Sequence, residues 1–198
     1  MRFPLSRLTW VLLPLSVPFI AAGAEPQQSL NTSSASQQSA SFGRDMGPLI
    51  DKVRRATARF RDVHVAMAEG WVPGTPCVSG PNEGAMGVHF LLKPADKYNR
   101  LNDGELNGEE PEALIYEPQS NGSLRLVGVE FIVIKADWEK HHSGPAVLDG
   151  HLTNLVEEPN RYGLPAFYEL HVWAWEDNPL GTFADWNIRV SCQKQRAD

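Results

Sequence analysis

Apolar residues recur at spacings of three and four from Leu49 through Val53, Ala56, Phe60 and Val63 to Met67, which is the stripe of an amphipathic helix. The pattern predicts one long helix over residues 45–69. Asp45 is placed as its N-cap, Pro48 falls in the first turn, and Gly70 can close the end in a left-handed conformation. Lys52, Arg54, Arg55, Arg59 and Arg61 occupy its other faces, a pattern more usual for a solvated face than for a binding one. After Gly70 the period shortens. Residues 86–92, 113–117, 124–134 and 165–175 read as strands rich in β-branched and aromatic side chains. Asn121-Gly122 between the second and third of these marks a hairpin turn. Residues 136–142 suggest a short helical turn, 151–156 a further strand, and 183–192 a short terminal segment. Residues 70–87 and 93–111, rich in turn formers, read as loops. The expected fold class is α+β: one long N-terminal helix packed on a mainly antiparallel sheet or partly closed barrel.

Polar residues inside these strands carry the candidate chemistry. Alternation over 124–134 puts Leu124, Leu126, Gly128, Glu130 and Ile132 on one face and Arg125, Val127, Val129, Phe131 and Val133 on the other. Both sets are largely apolar, so the strand reads as central and Glu130 as a carboxylate that is costly to bury alone. It requires a cation (Arg161 and Arg189 are candidates), a metal, or a bound proton. In the last strand Glu169, His171, Trp173 and Trp175 share a face opposite Tyr168, Leu170, Val172 and Ala174. His89 lies mid-strand in GVHFLL. His89, Glu130 and His171 are therefore the candidate metal ligands, a set that suits a divalent transition metal (Zn, Cu, Mn or Fe). Glu117 and Glu169 are candidate additional ligands or outer partners. Two other readings stay open: a hydrogen-bonded structural network, and a metal-free pocket for a small molecule walled by Tyr116, Glu117, Glu169, Trp173 and Trp175. The adjacent pair His141-His142 is more readily solvated than metal-binding, and His64 falls on the basic side of the helix. GxSxG, Walker, HExxH and CxxC patterns are missing from the sequence, so a binding protein is favoured without settling whether it is an enzyme.

The N-terminus changes the setting. Arg2 and Arg7 precede an apolar run over residues 8–20, and Ala22-Gly23-Ala24 follows as a small-x-small cleavage site. These are the three parts of a secretory signal. The run falls short of the ~20 apolar residues a spanning helix needs, and Pro14 and Pro18 interrupt it. Cleavage after Ala24 is expected, followed by a disordered Ser/Gln-rich leader over 25–44 and one globular domain over 45–198. Removing 24 residues from 198 leaves 174, and the formal charge moves from −6 to −8 because the segment takes two arginines and no acid. An acidic exported domain points away from nucleic acid, and no stable membrane insertion is expected after processing. In a periplasmic or secreted setting Cys77 and Cys192, the two cysteines present, are expected to pair. Asn31-Thr32-Ser33 and Asn121-Gly122-Ser123 match the glycosylation pattern, which matters only in a eukaryotic secretory route.

Three stretches are individual enough to carry a resemblance: GAMGVHFLL, EALIYEPQSNGSLRLVGVEFIV and NRYGLPAFYELHVWAWEDNPLGTFADWNIRVSC. Together they look like a family of exported bacterial proteins of unknown function, over residues 56–192. The resemblance implies bacterial export and a shared domain, and it supplies no reaction or ligand. Among characterised folds the nearest analogy is the cupin-like metal barrel. The cupin clustering of two histidines near a glutamate in one motif is missing from this sequence.

Overall fold

A computed structural model describes residues 47–92 and 100–194. The signal segment, the leader, the Asp45 cap and the Asn31 sequon expected above lie outside the described residues. Within them the expectation of one long helix fails. The segment folds instead as a short helix α1 (Pro48–Thr57), a 3-10 turn (Ala58–Arg61) and a second short helix α2 (Val63–Ala68). The break has a local cause at Asp62. Its backbone is extended (φ −90°, ψ 108°), and its side chain accepts a hydrogen bond from the His64 N–H. It therefore serves as a new N-cap in mid-segment. After the break the stripe no longer points inward: Ala66 is buried while Met67 is 52% exposed. Pro48 does open α1, and Gly70 (φ 95°) does follow the end of α2.

The α+β class with a long helix therefore gives way to a strand-dominated antiparallel fold. Among the described residues its nine strands are β1 (Trp71–Pro73), β2 (Val78–Ser79), β3 (Ala85–Leu92), β4 (Ala113–Pro118), β5 (Leu124–Ile134), β6 (Val147–Leu148), β7 (His151–Leu152), β8 (Asn154–Val156) and β9 (Phe167–Val172). Seven form one sheet in the order β1-β3-β4-β5-β9-β8, with β2 also pairing β3; β6 and β7 form a separate pair. All pairings are antiparallel. The order has two edges, so no barrel closes among the described residues. A third short helix, α3 (Lys135–Trp138), follows β5 where a short helical turn is expected. Residues 151–156 split into two strands because Thr153 turns away to bond Ala146, through both its N–H and its hydroxyl.

Both sheet faces are covered. On one, Val88, Phe90, Leu114, Tyr116, Leu126, Val129, Phe131, Leu170 and Val172 pack against Leu49, Ile50, Val53 and Phe60 of the helical segment. Tyr116 anchors this layer by donating to the Phe60 carbonyl at 2.7 Å. Tyr116→Phe should cost about 1–3 kcal/mol, because the buried carbonyl loses its partner; urea unfolding of the two proteins measures it. Four of the five basic residues of the helical segment have partners within the protein. Arg54 donates to the Ala174 carbonyl, Lys52 pairs with Asp149, Arg59 with Glu69, and Arg61 sits over Trp175.

The other face is covered by the C-terminal segment. Trp173 and Val190 pack there on Ala85, Ile115 and Val127, and a Cys77–Cys192 disulfide fastens the segment across 115 residues of sequence. Disulfides persist in oxidising surroundings, which points to a location outside the cytoplasm. No helix among the described residues is long and apolar enough to cross a membrane.

Candidate metal centre

The second face acquires its shape from a bulge. Ile115 pairs with Gly128 but Tyr116 pairs with Leu126, so Val127 is an extra residue on β5. A bulge reverses the alternation of the strand that carries it. Leu124 and Leu126 therefore join Val129 and Phe131 on the helix side, while Val127 joins Ile115 and Trp173 on the other. The single face expected to run from Leu124 to Ile132 is thus cut in two. The carbonyl of Val127 accepts from the N–H groups of both Trp175 and Glu176. Beyond Val172 the chain has left regular pairing, and Trp175 lands on the helix side, its Nε1 donating to Thr57 Oγ1 at 3.0 Å.

Glu130 stands directly opposite His171 on β9 and Ala113 on β4, while His89 on β3 stands opposite Ile115. Ala113 has only a methyl group, so the Glu130 side chain can reach across β4 to β3. Its Oε2 lies 3.3 Å from His89 Nε2, and its Oε1 lies 4.0 Å from His171 Nε2. The two imidazole rings meet edge to face with centroids 5.9 Å apart. Gly128 leaves room for Trp173, since a Cβ there would fall 3.3 Å from the indole and 2.9 Å from the Val172 carbonyl. Trp173 in turn stacks on His171 and is held by its own N–H to the Ala184 carbonyl. Ala113→Leu would insert three carbons between strands β3 and β5. The expected cost is about 1–3 kcal/mol from overpacking, with loss of any metal that needs His89 and Glu130 together; calorimetric unfolding and metal titration of the same variant check both.

Electrostatically the cluster is under-satisfied. His89, Glu130 and His171 are all buried. Neither nitrogen of His171, nor Nε2 of His89, makes a hydrogen bond. Burial holds His89 down at about 4. Burial and the neighbouring His89 hold His171 at about 3. Both rings are therefore neutral at pH 7, so their approaches to Glu130 are not charge pairs. Neutral imidazole is also the form that binds metal. Glu130 is raised well above the usual carboxylate range, first by burial and then by Glu169, with which it shares a hydrogen bond. On His89 the other nitrogen, Nδ1, is 3.3 Å from Thr75 Oγ1. That contact fixes the ring and, with Nδ1 as donor, leaves the Nε2 lone pair pointing at Glu130. His89, Glu130 and His171 each offer a donor atom within 4.8 Å of the others, so the three could hold a metal ion. Both cysteines are tied in the disulfide, which leaves an all-nitrogen-and-oxygen set.

His89 and Glu130 also line a cavity of about 660 Å³ whose walls include Leu91, Ile132, Tyr162 and Phe167. The pocket expected from the sequence is not this one. Tyr116 and Trp175 face the helical layer. Glu117 is buried on the second face but is taken by Arg125, Gln119 and the Ser191 N–H. Burial alone would raise its pKa, and those three hydrogen bonds outweigh that and lower it. Trp173 packs beside His171, and Glu169 adjoins the cluster. Neither expected arginine partner forms an ion pair with Glu130: Arg189 pairs with Asp177, while Arg161 sits over Trp186 and lines the same cavity. His142 stacks on Trp138 and belongs to no metal-binding group among the described residues. The sequence reading missed Thr75, Tyr162 and Asp185. All three lie in segments without strand periodicity, where residue type is the only signal.

Comparison with protein-family models, with curated proteins and with solved structures yields no match, so a functional reading of this chain stands on the chemistry of its own residues.

Proposed function

We propose that the protein binds a divalent transition metal through His89, Glu130 and His171, and presents it to a small molecule in the adjoining cavity. One observation carries this reading: His89 Nε2 and His171 Nε2, both buried and facing Glu130, have no hydrogen-bond partner. A structural polar network would satisfy them, because an unpaired buried polar group costs about 1–3 kcal/mol. A metal uses such lone pairs. Two imidazoles and a carboxylate suit zinc or ferrous iron best among Zn, Fe, Mn and Cu, with at least one coordination position left for water or a substrate oxygen. In that role the ion polarises a bound oxygen or lowers the pKa of bound water. The chain supplies the orientation: Thr75 fixes His89, Trp173 fixes His171, and the apolar cavity walls limit solvent around the ion.

The signal-like N-terminus and the disulfide support action in the periplasm or outside the cell. Elemental analysis after equilibrium dialysis of the purified protein tests the reading. At least one zinc or iron per chain is expected, falling when His89 is replaced by alanine. Absence of bound metal across zinc, iron, manganese and copper at pH 7 refutes it.

A further inference from the structure

His171 presents its two nitrogens to two different groups of acids. Nε2 faces Glu130, while Nδ1 lies 3.8 Å from Asp185 Oδ1. Glu169, His171 and Asp185 bring donor atoms within 4.8 Å of one another, a second set with the spacing of a metal site. Two of its atoms are buried without hydrogen-bond partners: His171 Nδ1, on a side chain with no exposed surface, and Glu169 Oε2. Asp185, half-buried, is aimed by a hydrogen bond from Asn154 on β8. Register supplies the juxtaposition. Asn154 and Ile132 flank Glu169 across the sheet, and His171 follows two residues later on the same face of β9.

We propose that Glu169, His171 and Asp185 hold a second divalent cation, so that the centre is binuclear and His171 bridges the two ions through its ring. This rests on the reading of His89, Glu130 and His171 as the first site.

A single ion on His171 Nε2 leaves His171 Nδ1 and Glu169 Oε2, both buried, still without a partner. Glu130, Glu169 and Asp185 crowd together, and no lysine or arginine among the described residues forms an ion pair with any of them. A second ion held by Glu169, His171 Nδ1 and Asp185 takes up both of those buried atoms, whose burial without partners is otherwise costly. Bridging requires His171 to give up its remaining ring proton, and the proton shared by Glu130 and Glu169 leaves as well; both pass to solvent as the ions bind, and no oxidant or reductant is involved.

The competing role for Asp185 is that of an outer carboxylate that merely orients His171 on a single ion. Metal stoichiometry separates the two. With zinc in excess at pH 7, two ions per chain are expected for the wild type and one for Asp185→Asn. Copper(II) loading gives a second readout that does not depend on the variant folding: two copper ions per chain, with an electron paramagnetic resonance signal diminished by coupling through the shared ring. One ion per chain, with an isolated copper signal, overturns the second site and leaves the first intact, even if Asp185→Asn weakens that ion's binding. Two ions in both wild type and Asp185→Asn overturn the assignment of Asp185. No bound ion in the wild type overturns both sites.

Discussion

Zinc at a hundredfold excess over its dissociation constant should stabilise the metal-stripped protein by about 2.7 kcal/mol per site, a rise in thermal midpoint of roughly 5–11 °C for a chain of this size. The effect follows from mass action, because an unfolded chain separates His89, Glu130 and His171 and cannot offer them together. Glu130→Gln is the informative variant. In the metal-free protein burial and the neighbouring Glu169 both push Glu130 toward its protonated form. A neutral side chain of the same shape should therefore leave the metal-free midpoint close to that of the wild type. It should nevertheless remove most of the zinc-induced rise, since an amide is a poor replacement for a carboxylate ligand. A differential scanning experiment with and without zinc reads both effects. Equal zinc-induced shifts in wild type and variant would show that zinc binds elsewhere.

Removing the disulfide should cost more than any single surface change. Cys77 and Cys192 close 115 residues of sequence, and loop-closure entropy puts roughly 4–5 kcal/mol on a cross-link of that length as an upper figure. Measured losses for such bridges run about 2–5 kcal/mol. The consequence is specific to this fold. Cys192 fastens the segment whose Val190 and Trp173 cover Ile115 and Val127, and Trp173 is the wall behind His171. The double variant Cys77→Ser, Cys192→Ser should unfold at lower urea, and it should bind zinc more weakly because that cover loosens. Urea titrations monitored by circular dichroism give the first quantity and zinc titrations the second. A variant as stable as the wild type would mean that packing alone holds the segment in place.

The longer strands were readable because their signals are local, whereas β1 and β2 fall in the stretch 70–87 that reads as loop. β5 is a run of β-branched residues whose bounds coincide with the pattern, and Asn121-Gly122 marks the turn before it. The convergence of His89, Glu130 and His171 was readable as a possibility, since each polar residue stands mid-strand among apolar neighbours. The geometry that brings them together was not. It depends on Ala113 standing between β3 and β5 and on the side-to-side order of strands, neither of which leaves a periodic trace. The bulge at Val127 explains the wrong half of the pocket. Strict alternation carries Trp175 to the face of His171, whereas irregular pairing around the Val127 carbonyl delivers it to Thr57. Tyr116 was misplaced for a simpler reason: an aromatic strand residue has no label for which face it takes, and this one serves the helical layer. The long helix failed between Thr57 and Asp62, where a 3-10 turn follows α1 and Asp62 caps a new helix inside the amphipathic stripe. Asp185 and Tyr162 sit in irregular segments and become visible only once the chain is folded around the cluster.

The shell of atoms around bound zinc is the most direct test of the central claim. X-ray absorption at the zinc edge should show nitrogen and oxygen neighbours only, at about 2.0–2.2 Å, with the outer-shell scattering characteristic of imidazole. Sulfur at about 2.3 Å, or a shell of oxygen alone without imidazole scattering, would contradict the assignment of His89 and His171 as ligands.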